Sequence, residues 1–462
     1  MLLNDNTWSS QLIALKVKVK NFVKNYLYIL VANIVALYLA LAGWNYYDVR
    51  YFISWHDEYF AVNRILEVYT STSKVAYPPL AVLIFTFTHL LAVKISSNVI
   101  AWRLIDKLPL IISFNAVYFI LRKHYGKFAS YLWLLNFVAY GFIYAYQFDL
   151  IMSLFILLAL LSIERNSYRF YALWSTLAAL IKYPVGVIVL IPVIDLFKKR
   201  NYKKLLEYLL IVFSIAAIII LPFFVVNPWA FIEKVILFHA KRPPQQMSIW
   251  AIPVYLAKYD LSILPGIINT LWIIPFIIYF IYMLYSAWRD AGEERLHYYT
   301  KYMVLLISGF LVLSKVSNNS YFLWLAPPLI VFISMVRDSN IQLAKKLSIL
   351  YLLAAFTVTL LFGIVAILVQ LVAGYPVFMF EDWNWVPMDK FLVEGLGYAP
   401  FDYLYLLVLF LRAIPPFRET CRSIAAVHYY LLIVLCIIYN VSLAYFIYIA
   451  RKSTFTSTGS KN

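Results

Sequence analysis

From residue 26 to residue 449 the chain is a succession of unbroken apolar runs separated by short charged turns. The runs do not alternate apolar with polar residues, so they are not the strands of a membrane barrel. Nor can they pack into a water-soluble core. Of 462 residues, 64% are hydrophobic and 13% are charged, which leaves too little polar surface to cover a globule of this size. The composition specifies an all-α polytopic membrane protein. No short leader with a small-residue cleavage site precedes the first run, so residues 26–44 are expected to be kept as a helix.

A net charge of +17 would suggest nucleic acid in a soluble domain. Here Lys and Arg gather in the turns between apolar runs, as expected for cytoplasmic loops, and no nucleic-acid partner is implied. Cys421 and Cys436 lie near the C-terminus without metal-ligand spacing, so neither a disulfide framework nor a zinc site is indicated. Many of the aromatics, 19% of the chain, sit at segment ends, where interfacial Trp and Tyr belong.

Lys16, Lys18, Lys20 and Lys24 place the N-terminus inside, and residues 1–25 suit an amphipathic segment on the membrane surface. The first span then leads to an outer loop, residues 45–98. Residues 80–93 are too few for the roughly 20 that a crossing needs, and are expected to form an interfacial or re-entrant helix. With residues 99–121 as the next span, Arg122, Lys123 and Lys127 fall inside. The same bookkeeping puts residues 165–169, 198–204, 289–301 and 337–346 inside. It leaves outside the turn Gln147-Phe148-Asp149, the loop 225–261, the turn 314–321 and the acidic, Trp-rich loop 374–402. About 11–13 spans result. They divide into a transmembrane catalytic module over 26–336 and a C-terminal module over 337–462. Because the inner turns are short and basic while the outer loops carry carboxylates, histidines and amides, function is expected outside.

Four places on that side carry chemistry. His56-Asp57-Glu58 concentrates charge in a chain otherwise poor in it. Asp57 or Glu58 could serve as a general base, or the two could hold Mg²⁺ or Mn²⁺, or they could be solvated loop residues. Lys182 interrupts two apolar runs before Tyr183-Pro184. A lysine there needs an anionic partner or must snorkel to the interface. His239, Lys241 and Arg242 form a cationic cluster suited to a phosphate, near Gln245, or equally to lipid headgroups. Lys315 stands beside Ser317-Asn318-Asn319-Ser320 and Tyr321, polar groups that could bind sugar hydroxyls or cap helices. His89, His124, His297 and His428 are scattered and read as structural or solvated. Glu381, Asp382, Asp389 and Glu394 of the last outer loop suit an acceptor site or a solvated lid.

The order of these motifs resembles the GT-C glycosyltransferases that use polyprenyl-phosphate sugars. The nearest likeness is to the family of the first mannosyltransferase of GPI-anchor synthesis and related prokaryotic enzymes. HDEYFAVNRI…VAYPPLAVLI is similar to that family's acidic pair followed by a Tyr-x-Pro-Leu-Leu element. LAALIKYPVGVIVLIPVIDLF resembles its Lys-x-Tyr-Pro helix break. FIEKVILFHAKRPPQQMSIWAI resembles a His-then-Arg outer segment, and LSKVSNNSYFLWLAPPL its Lys-Val…Gln-Tyr-Phe-Leu-Trp. The likeness runs over residues 45–335. His56 and Glu58 fall on the two acidic positions, Asp57 stands where the family has an apolar residue, and Asp149 matches a polar position. Ser320 replaces the Gln before Tyr321.

The resemblance implies a GT-C-like fold around an outer-facing cavity; with no visible retention signal, a prokaryotic cell membrane is the expected location. The donor would be a polyprenyl (dolichyl) phosphate sugar, and the acceptor lipid-linked or a glycan. It implies Asp57 or Glu58 as base, with Lys182, His239, Arg242 and Lys315 around the donor phosphate. His56, Asp149, Gln245, Asn319, Ser320 and Tyr321 would touch sugar or acceptor. The competing readings are a lipid-linked sugar flippase or other secondary transporter, and a membrane scaffold. Transporters tend to show repeated halves and ionisable groups near the midplane, and the chain has no visible repeat.

Overall fold

The structure is a computed structural model that describes residues 26–43, 46–70, 75–264, 266–379, 384–388 and 403–453. The expectations for residues 1–25 and for Glu381, Asp382, Asp389 and Glu394 lie outside these residues. Helix dominates what is described, interrupted by two small two-stranded ladders. Among the described residues, seven helices are long and apolar enough to cross a membrane, or eight if one bent pair is counted as a span. The chain is therefore an integral multi-pass membrane protein.

The count is lower than the 11–13 expected because several apolar runs form short or broken helices. α1 (Tyr26–Ala42) and α3 (Pro79–Ile95) fall just under span length. α2 (Tyr46–Ser54) continues into a π-helical turn, Trp55–Phe60. α4 (Val99–His124) is a full span, and α5 (Gly126–Leu134) and α6 (Phe137–Ala145) are the bent pair, at 46°. α7 (Asp149–Glu164), α8 (Tyr168–Ala179) and α9 (Leu190–Lys198) follow, and a 3₁₀ stretch, Tyr183–Val189, joins the last two. Full spans then dominate: α10 (Tyr202–Phe224), α11 (Ile268–Asp290), α12 (Arg295–Leu313), α13 (Asn319–Ser339) and α14 (Ile341–Ala373). α15 (Tyr403–Ala413) and α16 (Pro415–Ala426) lead to α17 (His428–Lys452).

Two helices form the centre. The apolar windows of α12 and α13 are 78% and 89% buried within the protein, against 11% and 6% for α10 and α11. The first pair packs against α7 and α17. The second pair turns Leu206, Leu210, Phe213, Ile218, Ile274 and Ile281 outward, the surface a bilayer solvates. One apolar core joins Ile29 and Leu110 to Tyr351, Tyr439 and Phe446.

Inside hydrocarbon every polar group needs a protein partner, and the core meets that demand in specific ways. Pro327 cannot donate to the carbonyl of Leu323 one turn earlier, and Ser153 Oγ on α7 donates to that carbonyl instead, at 2.7 Å. Asn33 and Asn115 exchange amide hydrogen bonds at 2.8 and 2.7 Å, joining α1 to α4. Lys107 Nζ donates to the carbonyls of Ala40 at 3.1 Å, Tyr144 at 2.7 Å and Gly43.

The basic turns that follow α4, α7, α9 and α11 are gathered at one end of the bundle. Arg122 lies 5.3 Å over the Tyr26 ring, and His124 pairs with Glu164 at 3.5 Å. Arg295 donates to Asn166, and Lys198 to the carbonyls of Trp288 and Arg289 at 2.6 and 2.7 Å. His297 reaches the Ser453 carbonyl at 3.4 Å. The loops that carry the polar motifs meet at the other end. There β1 (Gln245–Gln246) pairs in parallel with β2 (Val316–Ser317).

Candidate functional site

At that end the chain encloses a cavity of about 370 Å³, within the range of small-ligand sites. It is built from the α2 helix, the segment before α3, the α6–α7 turn, the α8 break, the segment around His239, the β2–α13 turn and α14. Its carboxylate is Asp48. Asp48 is buried on α2 and accepts from Gln147 Nε2 at 2.7 Å, while Tyr77 Oη donates to Gln147 Oε1 at 3.1 Å. Burial pushes the Tyr77 phenol well above its ordinary value, with Asp48 and Asp149 adding to the rise, so it stays a neutral donor.

Lys182 reaches the cavity because the helix stops before it. Its backbone is extended, and Pro184, one position into the following 3₁₀ stretch, cannot continue the hydrogen-bonding of α8. Lys182 Nζ donates to Asp149 Oδ2 at 2.7 Å, and the other oxygen of Asp149 accepts from Trp324 Nε1 at 2.6 Å. The Lys182 ammonium also lies 5.5 Å from the Tyr77 ring and 5.1 Å from the Tyr321 ring. It is therefore a buried, paired lysine rather than a snorkelling one, and Asp149 is its partner at the first position of α7. Tyr321 in turn stacks on Trp324 at 4.0 Å.

His239 and Arg242 complete the cationic lining. His239 Nε2 lies 3.1 Å from the Ala76 carbonyl, and Arg242 stacks over Phe238 at 5.5 Å. Arg242 is buried. The opposite rim is polar and uncharged: Gln246, Asn318, Asn319 and Ser320. Gln246 has a left-handed backbone, φ 55°, and its Oε1 accepts from the Asn319 N–H at 3.0 Å. Beyond this rim the wall is apolar, with Phe362, Ala366, Ile367 and Phe378.

The residues singled out in the sequence divide accordingly. Lys182, His239, Arg242, Asn319, Ser320 and Tyr321 line the cavity, and Asp149 stands directly behind it. Gln245 is buried one residue away on β1, where Nε2 faces Asn318 Oδ1 at 3.3 Å. Lys315 is not in the lining. Its Nζ donates to the Ala240 carbonyl at 2.6 Å, tying two loops together, and burial pushes its ammonium down. Asp57 and Glu58 are exposed on the π-helical turn and are not among the lining residues. Asp57 Oδ1 bonds His56 Nδ1 at 2.8 Å. Among the described residues, the group with ligand atoms close enough for a metal is His56, Asp57 and His89, without Glu58. Asp48, Gln147, Tyr77 and Gln246 are lining residues to which the sequence pattern assigned no role, whereas Asn318 belongs to the polar group read beside Lys315. The signal for Asp48 was a lone carboxylate immediately after the first apolar run.

No protein-family model matches this chain, and no curated protein matches it. A solved structure that it is similar to is the crystal structure of ArnT from Cupriavidus metallidurans bound to undecaprenyl phosphate. The likeness covers 92% of this chain and 76% of that one, at 13% identity and a TM-score of 0.46.

Proposed function

We propose that the protein is a membrane glycosyltransferase that takes a sugar from a polyprenyl (dolichyl) phosphate. The sugar passes with inversion to a hydroxyl of a lipid-linked or glycan acceptor, and mannose is the sugar the motif resemblance favours. The observation that carries this reading is the composition of one cavity: a buried carboxylate, a cationic side, an amide and hydroxyl rim, and an apolar exit. Each part answers a separate need of that reaction. The protein's basic turns would face the cytoplasm and the cavity the outer side.

In the proposed step Asp48 accepts the proton of the acceptor hydroxyl. The oxygen's electron pair forms the new bond to C1 of the sugar, and the bond from C1 to the phosphate oxygen breaks. The leaving lipid phosphate carries the electron pair away. Arg242 offers it a planar fork of donors; His239, whose Nε2 faces the Ala76 carbonyl, would add an Nδ1–H in its imidazolium form. Lys182 is already neutralised by Asp149 in the resting state, so it contributes donor positions rather than net charge. Gln246, Asn318, Asn319 and Ser320 orient sugar hydroxyls, and Phe362, Ala366 and Ile367 accompany the isoprenoid. Asp48 displaces Asp57 and Glu58 as the proposed base, since those two are exposed away from the cavity.

The test uses purified protein, radiolabelled dolichyl-phosphate mannose and a membrane lipid and glycan extract as acceptor. Label should move to the acceptor, and Asp48→Asn should lower the rate by about 10² or more, while Glu58→Gln keeps most of it. Full transfer by Asp48→Asn would remove the base from this scheme. Failure to bind any polyprenyl-phosphate sugar would sink the reading as a whole.

A further inference from the structure

Away from the cavity, the turn that follows α2 carries a second cluster. His56 is buried at 5% exposure, and its Nε2 is shielded from solvent with no hydrogen-bond partner. An imidazole nitrogen left in that condition costs free energy, which calls for a cause. Its ring meets the His89 ring edge-on at 5.1 Å, and Asp57 stands at the exposed side of the pair. One ligand atom from each of His56, Asp57 and His89 lies within 4.8 Å of the others.

Behind His89 is a further group. His89 Nδ1 lies 2.9 Å from Asp106 Oδ2 on α4, with both side chains buried. As the carboxylate, Asp106 can only accept, which would put the proton on Nδ1 and leave the lone pair on Nε2. A carboxylate behind a histidine in this way orients the ring and raises its basicity toward a metal. His89 thus has a partner that a merely packed histidine does not need.

We infer that His56, His89 and Asp57 bind a divalent transition ion of the zinc type, with Asp106 orienting His89. Two imidazoles and one carboxylate match the ligand preference of such ions and not of Mg²⁺, which prefers an all-oxygen set. Three protein ligands leave a fourth position, open on the Asp57 side where the side chain is 59% exposed. Tetrahedral binding at about 2.1 Å asks for ligand atoms about 3.4 Å apart. Asp57 Oδ1 is bonded to His56 Nδ1 at 2.8 Å, and to close that distance the exposed carboxylate exchanges this hydrogen bond for the ion. The ion would join the turn after α2 to α3 and, through Asp106, to α4. It would therefore anchor the helix that carries Asp48, whatever reaction the cavity performs.

Full-length protein in detergent, with any affinity tag removed and stripped by a chelator, is titrated with Zn²⁺ against a chromophoric competitor. One ion per chain is expected, with imidazole nitrogens at about 2.0 Å in X-ray absorption. Asp57→Asn, a surface change that leaves the fold intact, should weaken binding at least about 10-fold, and Asp106→Asn by about 10–100-fold. His89→Gln should abolish it, while His124→Gln, in a separate ion pair, should bind as the parent does. Zn²⁺ should also raise the melting temperature of the parent, and raise that of Asp57→Asn less at the same concentration. Well under one ion per chain at saturation, or stoichiometric binding that survives Asp57→Asn together with His89→Gln, would overturn the site.

Discussion

Asp48 and Asp57 are nine residues apart and differ in everything that decides chemistry. Asp48 is buried, held by an amide and faces the cavity; Asp57 is exposed and held by an imidazole. The pair Lys182–Asp149 makes a second residue-scale case, because both charges are buried and each depends on the other. Removing one charge leaves the other uncompensated. Lys182→Met or Asp149→Leu alone should destabilise the protein by about 3–5 kcal/mol, and the double variant should recover most of the loss. Thermal unfolding in detergent measures this, and a double variant no better than the singles would count against the pair. Lys182, His239 and Arg242 were legible in the sequence because a cation in an apolar context needs an explanation. Asp48 was not, since a single carboxylate at the end of a span is what a solvated residue also looks like. Only the return of Gln147 and Tyr77 from distant segments distinguishes it.

At the scale of elements, close packing is written into one glycine. A Cβ at Gly309 on α12 would fall inside the ring of Tyr279 on α11, whose hydroxyl donates to the Leu305 carbonyl at 2.8 Å. This contact attaches a mostly lipid-facing helix to the most buried part of the bundle. Gly309→Ala should displace the ring and cost about 1–3 kcal/mol. Tyr279→Ala made alongside it should remove that added cost, which melting of the two variants and their combination would reveal. The break at Lys182-Tyr183-Pro184 was readable from proline chemistry alone. The π-helical turn at Trp55–Phe60 was not, because a one-residue insertion in a helix has no sequence signature of its own.

For the whole molecule, the alternation of basic and polar turns distinguishes two ends. Contacts between distant turns gather the basic ones after α4, α7, α9 and α11 at a single end, whereas Arg412 lies against Gly374 at the other. The number of spans was less legible, since a run such as residues 150–163, placed between an outer and an inner turn, reads as a crossing in sequence and forms a 16-residue helix in the fold. Membrane orientation gives a direct test. In a variant whose buried Cys421 and Cys436 are replaced, a cysteine introduced at Trp229 should react with an impermeant thiol reagent in intact cells. One introduced at Arg200 should react only after the membrane is opened. The reverse pattern would invert the proposed topology.

The two-residue ladder between β1 and β2 has a bearing on how such a cavity could change its ligand. The Gln245 N–H donates to the Lys315 carbonyl at 3.0 Å, and the Met247 N–H to that of Ser317 at 3.1 Å. Backbone thus holds the rim in place, whichever side chains stand on it. Exchanging Asn318 or Ser320 for another small polar residue would alter the pattern of donors and acceptors offered to a ligand without dismantling the scaffold that presents them. A rim of this kind separates where a ligand is held from which ligand is held, and leaves the second open to change one side chain at a time.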